Sequence, residues 1–234
     1  MINWYYRSRI AADLNSRRGE LALRSVWLPR LKAIYLPVPK AAGSTVLSTL
    51  VAADGSPHLV GIVDHNTDEA RHLVSAEHDL RGFWHALHDP ACLRFAFVRN
   101  PYARIVSAYL DKIASGRKPR FTKWLGLPPD VGLLDFLRRI SEQEVDEMNR
   151  HWRPQSALIS PKVKLDFLGR FERFNEDFVK VLDRLGADSA AIKERRAHQT
   201  AADSRLDIIG VEEKALIDRI YRNDFERFGY LREL

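Results

Sequence analysis

Twice along this chain a short apolar run gives way to a polar loop and then to residues spaced for a helix, and that recurrence limits the fold more than any other feature. The first run is Ala33-Ile34-Tyr35-Leu36-Pro37-Val38, followed by Pro39-Lys40-Ala41-Ala42-Gly43-Ser44-Thr45. Apolar, partly β-branched runs of this length read as buried strands. From Ser44 on, Val46, Leu47, Leu50 and Val51 fall on one face of a helix laid against a sheet. The second run is Leu93-Arg94-Phe95-Ala96-Phe97-Val98, followed by Arg99-Asn100-Pro101 and a helix carrying Tyr102, Ile105, Val106, Tyr109 and Ile113. Asn100 suits the N-cap and Pro101 the first helical position. Further on, the pattern predicts a helix around Leu133 to Ile140 and a strand around Lys164 to Phe171. A helix from about Asn175 ends before Gly186, and a C-terminal helix runs through Leu216, Ile220 and Phe225. Strands alternating with helices predict a three-layer α/β fold around a central parallel sheet with right-handed crossovers. Ligands of such sheets bind at the carboxyl ends of the strands, where both loops belong.

Composition narrows the partners. With 234 residues, 45% of them apolar, the chain reads as a single domain over residues 1–234 with its core at about 31–230. Thirty-seven Lys and Arg against 31 Asp and Glu leave a net charge of +6, which favours anions such as nucleotides or acidic glycans. It lacks the polybasic arm of a nucleic-acid binder. Cys92 is the only cysteine, so no internal disulfide forms, and the absence of a Cys/His cluster implies no metal. Charges interrupt every apolar stretch near the N-terminus, so neither a signal peptide nor a membrane span is expected, and the setting reads as cytoplasmic. Ala114 to Asp130, broken by Gly116, Pro119, Gly126, Pro128 and Pro129, is expected to be a loop, either a border of the site or a solvated surface segment.

The first loop is built for an anion. Backbone N–H groups and the helix dipole converge where Ala41, Ala42, Gly43, Ser44 and Thr45 open the helix, and Gly43 leaves space for close approach. Ser44 and Thr45 add hydroxyl donors, and Lys40 adds a full charge. The nucleotide-triphosphate loop G-x-x-x-x-G-K-[ST] has its lysine after the glycines, whereas Lys40 precedes Gly43. The second strand ends in Arg99-Asn100 and not in an aspartate for Mg²⁺. A plain strand-to-helix turn has the same small residues, so this loop alone does not name a ligand.

In the second loop, Arg99 ends the strand and Ser107 lies on the next helix, sharing a face with Asn100 and the small Ala103. A guanidinium and a hydroxyl together suit a phosphate. Taken without the first loop, Arg99 reads equally as an ion-pair partner and Ser107 as an ordinary helix residue.

These loops, in this order, resemble the 5′-phosphosulfate and 3′-phosphate elements of sulfotransferases dependent on 3′-phosphoadenosine 5′-phosphosulfate (PAPS). The chain looks most like the carbohydrate sulfotransferase family of chondroitin and HNK-1 type, with a more distant likeness to uronyl 2-O-sulfotransferases. The matching stretches are Val38-Pro39-Lys40, Phe97-Val98-Arg99-Asn100-Pro101 through Ser107-Ala108-Tyr109, and Asn149-Arg150-His151-Trp152-Arg153-Pro154-Gln155. They continue in Asp166-Phe167-Leu168-Gly169-Arg170-Phe171-Glu172, Tyr221-Arg222-Asn223-Asp224-Phe225 and Phe228-Gly229-Tyr230. The animal enzymes carry a membrane span and cysteines after the His-Trp pair; Ile159-Ser160-Pro161 stands there instead, which implies a bacterial, cytosolic relative.

The resemblance implies a P-loop NTPase-like sulfotransferase fold, PAPS as donor, 3′,5′-ADP (PAP) as product, and a carbohydrate or glycoconjugate hydroxyl as acceptor. Lys40 would stabilise charge on the leaving phosphate, while Arg99 and Ser107 would grip the 3′-phosphate. His78, in Ser75-Ala76-Glu77-His78-Asp79, matches the general base of the 2-O-sulfotransferase relatives, with Glu77, Asp79, His85 and His88 as rivals. His151-Trp152 would either shape the acceptor cleft or sit in the core. The basic segment Lys193 to Thr200 would either close over the nucleotide or lie solvated. A P-loop-like kinase and a non-catalytic module binding nucleotides or anionic glycans stay as alternatives.

Overall fold

The computed structural model describes residues 2–13, 25–55, 79–188 and 203–234. They fall into two compact units, Met1–Val98 with Ile159–Arg195 and Arg99–Leu158 with Arg196–Leu234.

The first unit is mixed α/β, with a central four-stranded sheet in the order β1-β2-β3-β4. β2 (Ala33–Leu36), β3 (Leu93–Val98) and β4 (Phe167–Arg170) run parallel, with Tyr35 opposite Phe95 and Phe97 opposite Gly169. All of β2 is buried, as is β3 from Arg94 onward, the pattern of strands covered on both faces. An antiparallel edge strand that the apolar pattern did not predict, β1 (Val26–Leu28), pairs with β2. Its three residues are too few to show a period, and its tight turn places Lys32 at φ +48°.

Aromatic packing fixes this sheet. Tyr35 stacks on Phe95 with centroids 5.1 Å apart, and Phe97 packs against Phe174 and Phe178 of the Phe174–Leu185 helix at 5.2 and 5.9 Å. That helix ends at Gly186 in the left-handed region, φ +62°, the stop expected from sequence. At the amino-terminal edge of the sheet, Arg94 forms a two-pronged ion pair with Asp166 at 2.8 and 2.9 Å and also donates to the Leu87 carbonyl. The Leu80–His88 helix therefore ends beside the start of β3.

The second unit is helical. Asn100 caps the Pro101–Tyr109 helix as expected, its Oδ1 accepting from the Tyr102 and Ala103 N–H groups. The helix runs on into a π-helical turn, Leu110–Ala114. The stretch expected to be a loop contains the Pro119–Leu125 helix. Pro119 is its first residue and Gly126 its left-handed C-cap, φ +68°, so both supposed breakers are a start and a stop signal. The Leu133–Ser141 helix matches expectation, and the C-terminal helix divides at Tyr221 into Val211–Ile220 and Arg222–Phe228. These elements close on Phe136, Leu137, Ile140, Trp152, Ile217 and Phe225, all buried. Among the described residues no helix is long and apolar enough to cross a membrane.

Candidate functional site

The loop after β2 is conformationally unusual. Lys40 and Ala42 both adopt left-handed backbone, φ +71° and +61°, a geometry that costs a non-glycine residue about 1 kcal/mol or more. Ala41 between them is fully buried and its N–H donates to the Val38 carbonyl at 3.3 Å. Ala42 is the N-cap of the Gly43–Asp54 helix and brings no side-chain cap. The first bond of the helix is Val46 N–H to the Ala42 carbonyl, 3.1 Å, so the amides of Gly43, Ser44 and Thr45 precede it at the positive end of the dipole.

A Cβ at Gly43 would meet Tyr35 Oη at 3.5 Å and nothing closer. The fold therefore does not require that glycine, and the left-handed positions belong to Lys40 and Ala42. Neither residue type signals such a conformation in a sequence. Lys40 and Thr45 are half-buried and Ser44 is exposed.

Arg99, the first residue of the second unit, is fully buried. Its N–H donates to Gln155 Oε1 at 2.9 Å, and Gln155 Nε2 donates back to its carbonyl at 2.8 Å. Gln155 is itself fixed by Asp224, whose carboxylate accepts from the Gln155 and Ser156 N–H groups at 2.8 and 2.7 Å. Arg104, buried five residues along, donates to the carbonyls of Arg153 and Arg150 at 2.9 and 3.2 Å. Burial pushes its guanidinium down from its usual range, and the charge of Arg99 acts in the same direction. Tyr221 Oη donates to the Trp152 carbonyl at 2.6 Å. The stretches Asn149–Gln155 and Tyr221–Phe225, separated by some seventy residues, thus form one scaffold around Arg99. Ala103 and Ser107 are buried on the helix that follows.

Trp152 belongs to the core. It is fully buried, its indole N–H donates to Gln143 Oε1 at 3.2 Å, and it packs on Phe121, Trp124 and Phe136 within 6 Å. The acceptor-cleft expectation is corrected for this residue. His151 is half-buried, edge-on to Phe121 at 5.9 Å.

His78 and Glu77 lie outside the described residues, as does the basic segment 193–200. Asp79 is committed locally, its Oδ1 accepting from the Gly82 N–H at 2.8 Å to cap the Leu80–His88 helix. His85 and His88 are exposed on the last turn of that helix, at the amino-terminal edge of the sheet. β3 carries its carboxyl end roughly 15–20 Å from there at the usual strand rise, so these two histidines lose ground as bases. Lys40–Thr45 and Arg99 with Ser107 fall in different units.

Fold and loops together define an α/β protein whose parallel strands lead into anion-binding turns. The family model described as "Sulfotransferase family" matches residues 24–231; the chain belongs to that family. A carbohydrate sulfotransferase 14 of Danio rerio is 30% identical over 226 residues, covering 84% of this chain and 59% of the relative. Carbohydrate sulfotransferase 14 of Homo sapiens is 30% identical over 189 residues, with 73% and 49% covered. Carbohydrate sulfotransferase 9 of Homo sapiens is 27% identical over 230 residues, with 85% and 51% covered. The chain thus spans about half to three-fifths of the length of these relatives. No solved structure matches.

Proposed function

We propose that this chain is a PAPS-dependent sulfotransferase that moves a sulfuryl group to a hydroxyl of a carbohydrate or glycoconjugate, releasing 3′,5′-ADP. The observation that carries this reading is the pair of loops leaving the carboxyl ends of adjacent parallel strands β2 and β3 in a chain that matches the family from residue 24 to 231. The first loop fits a phosphosulfate, because its left-handed backbone and uncapped helix start aim N–H donors outward beside the Lys40 charge. The buried Arg99 and Ser107 supply a guanidinium and a hydroxyl for a 3′-phosphate.

The donor supplies an activated sulfuryl group. Lys40 stabilises the charge that grows on the leaving phosphate as the S–O bond breaks, and the loop amides hold the phosphosulfate in line with the acceptor oxygen. His78 accepts the proton of the acceptor hydroxyl. The carbohydrate acceptor follows the names of the relatives, and a cytoplasmic setting is part of the same proposal; cell fractionation that recovers the chain with membranes would remove it.

Calorimetry tests the donor site. The expected order is 3′,5′-ADP over 5′-AMP over ATP-Mg, with Arg99→Lys and Ser107→Ala reducing the preference for 3′,5′-ADP. Equal binding of 5′-AMP sinks the donor assignment and brings back the kinase or the anion-binding module. Lys40→Ala is expected to remove turnover while leaving the fold unchanged.

A further inference from the structure

The Pro119–Leu125 helix has two unlike faces. Phe121, Thr122 and Leu125 are buried in the second unit, while Arg120, Lys123 and Trp124 are exposed on the other side. Trp124 is 51% exposed, yet its ring rests on the buried Trp152, centroids 5.7 Å apart and planes 36° inclined. One side of the indole is thus anchored to the core and the rest is presented to solvent as a rigid platform. The Arg120 guanidinium lies over the Phe121 ring at 5.0 Å.

The charges around this platform are arranged differently from those elsewhere in the unit. Arg138 pairs with Asp135 and Glu212, Arg139 with Glu142, Lys214 with Asp218, and Arg232 with Glu226. Among the described residues, Arg117, Arg120 and Lys123 form no ion pair with a carboxylate, and residues 114–124 contain no acid at all. Lys118 is the exception, sharing Asp111 with Lys112. Three exposed cations without counter-ions beside an anchored aromatic ring form a surface complementary to an anionic ligand with an apolar face.

We propose that this face binds the acceptor and that the acceptor is an acidic saccharide, bearing carboxylate or sulfate groups. This rests on the reading given under Proposed function and names the substrate class for it. Trp124 stacks under the C–H face of a sugar ring, and Arg117, Arg120 and Lys123 take its acidic substituents, the two arginines by two-pronged hydrogen bonds. The chain leads there directly from the helix that carries Ser107, through the Leu110–Ala114 turn. Single-stranded nucleic acid also stacks on aromatic rings among cations, and it serves as the competing ligand in the test.

The full chain is titrated with a sulfated, uronate-containing hexasaccharide, with its desulfated, carboxyl-reduced counterpart, and with a single-stranded oligonucleotide of equal charge. The acidic saccharide is expected to bind best, more weakly as salt rises, and about tenfold or more weaker in Arg120→Glu/Lys123→Glu. Trp124→Ala is expected to weaken it as well; the exposed charge-reversal pair carries the test if loss of the Trp152 contact perturbs folding. Unchanged affinity in the charge-reversal pair, equal binding of the neutral saccharide, or tighter binding of the oligonucleotide overturns the proposal. 3′,5′-ADP binding is followed in parallel. If it is absent while saccharide binding still depends on Arg120 and Lys123, the sulfotransfer reading fails and the saccharide surface stands.

Discussion

Gln155 replaces a neighbouring strand for Arg99, its side-chain amide accepting from the Arg99 N–H at 2.9 Å and donating to the Arg99 carbonyl at 2.8 Å. Arg99 follows the last residue of β3, where sheet pairing has run out, and a buried main chain needs both bonds made. Asp224 in turn holds the Gln155 and Ser156 amides. The position of the guanidinium therefore depends on residues more than fifty positions away in sequence.

Gln155→Ala should unpair both backbone groups of Arg99, at a cost of about 2–4 kcal/mol for two buried unsatisfied groups. Gln155→Glu keeps the acceptor and loses the donor, setting a carboxylate against the Arg99 carbonyl. Both variants are expected to lower the urea midpoint and to weaken 3′,5′-ADP more than 5′-AMP. A variant that loses stability but keeps its nucleotide preference would show that Gln155 supports only the fold.

Ala42 tests whether the first loop is strained for use. At φ +61°, Ala42→Gly should relieve the left-handed conformation and raise stability by about 0.5–1 kcal/mol, while Ala42→Val should lower it by at least about 1 kcal/mol. The gain in Ala42→Gly is expected to come with weaker binding of 3′,5′-ADP, because the relaxed loop no longer presents its amides ready aligned. Urea unfolding and calorimetry on the same samples read both effects.

Strands β2 and β3, the Asn100 cap and the Gly186 stop were legible because each rests on local chemistry: an apolar run, a capping amide, a residue tolerant of positive φ. The Pro119–Leu125 helix was hidden because Pro and Gly mark helix ends as well as loops. The parallel place of Phe167–Arg170 was partly legible, but the reason for Gly169 was not, since it depends on Phe97 opposite. The roles of Gln155, Tyr221 and Asp224 were present in sequence only as motifs resembling a family. Their physical meaning, a scaffold for Arg99, arises from contacts some seventy residues apart, which no local pattern encodes. The strain at Lys40 and Ala42 left no sequence trace at all.

Gly169 is required by close approach. A Cβ there would lie 2.3 Å from Phe97 Cε1, and Phe97 cannot yield easily because Phe174 and Phe178 pack against it. Gly169→Ala is expected to cost about 1–3 kcal/mol by overpacking. Phe97→Leu should recover part of that loss in a double-mutant cycle, although alone it leaves a cavity. Additive losses in the two variants would refute the clash.

Lys112 gives the second unit a pH signature. Its ammonium is buried on the π-helical turn, 2.9 Å from Asp111. Burial and the hydrogen-bonded neighbour Lys118 hold its pKa down at about 8, against an ordinary 10.5, with Asp111 opposing them. Between those two values the unfolded chain keeps the lysine proton and the folded chain releases it, so stability contributed by this group rises with pH across that window and is flat below it. Lys112→Met removes the titration and leaves Asp111 with Lys118. The difference in unfolding free energy, wild type minus variant, should therefore grow between pH 8 and 10 and stay constant between pH 6 and 7.5. Urea titrations at four pH values measure it, and a difference that is flat throughout, or that shrinks above pH 8, would show that Lys112 keeps an ordinary proton affinity in the fold.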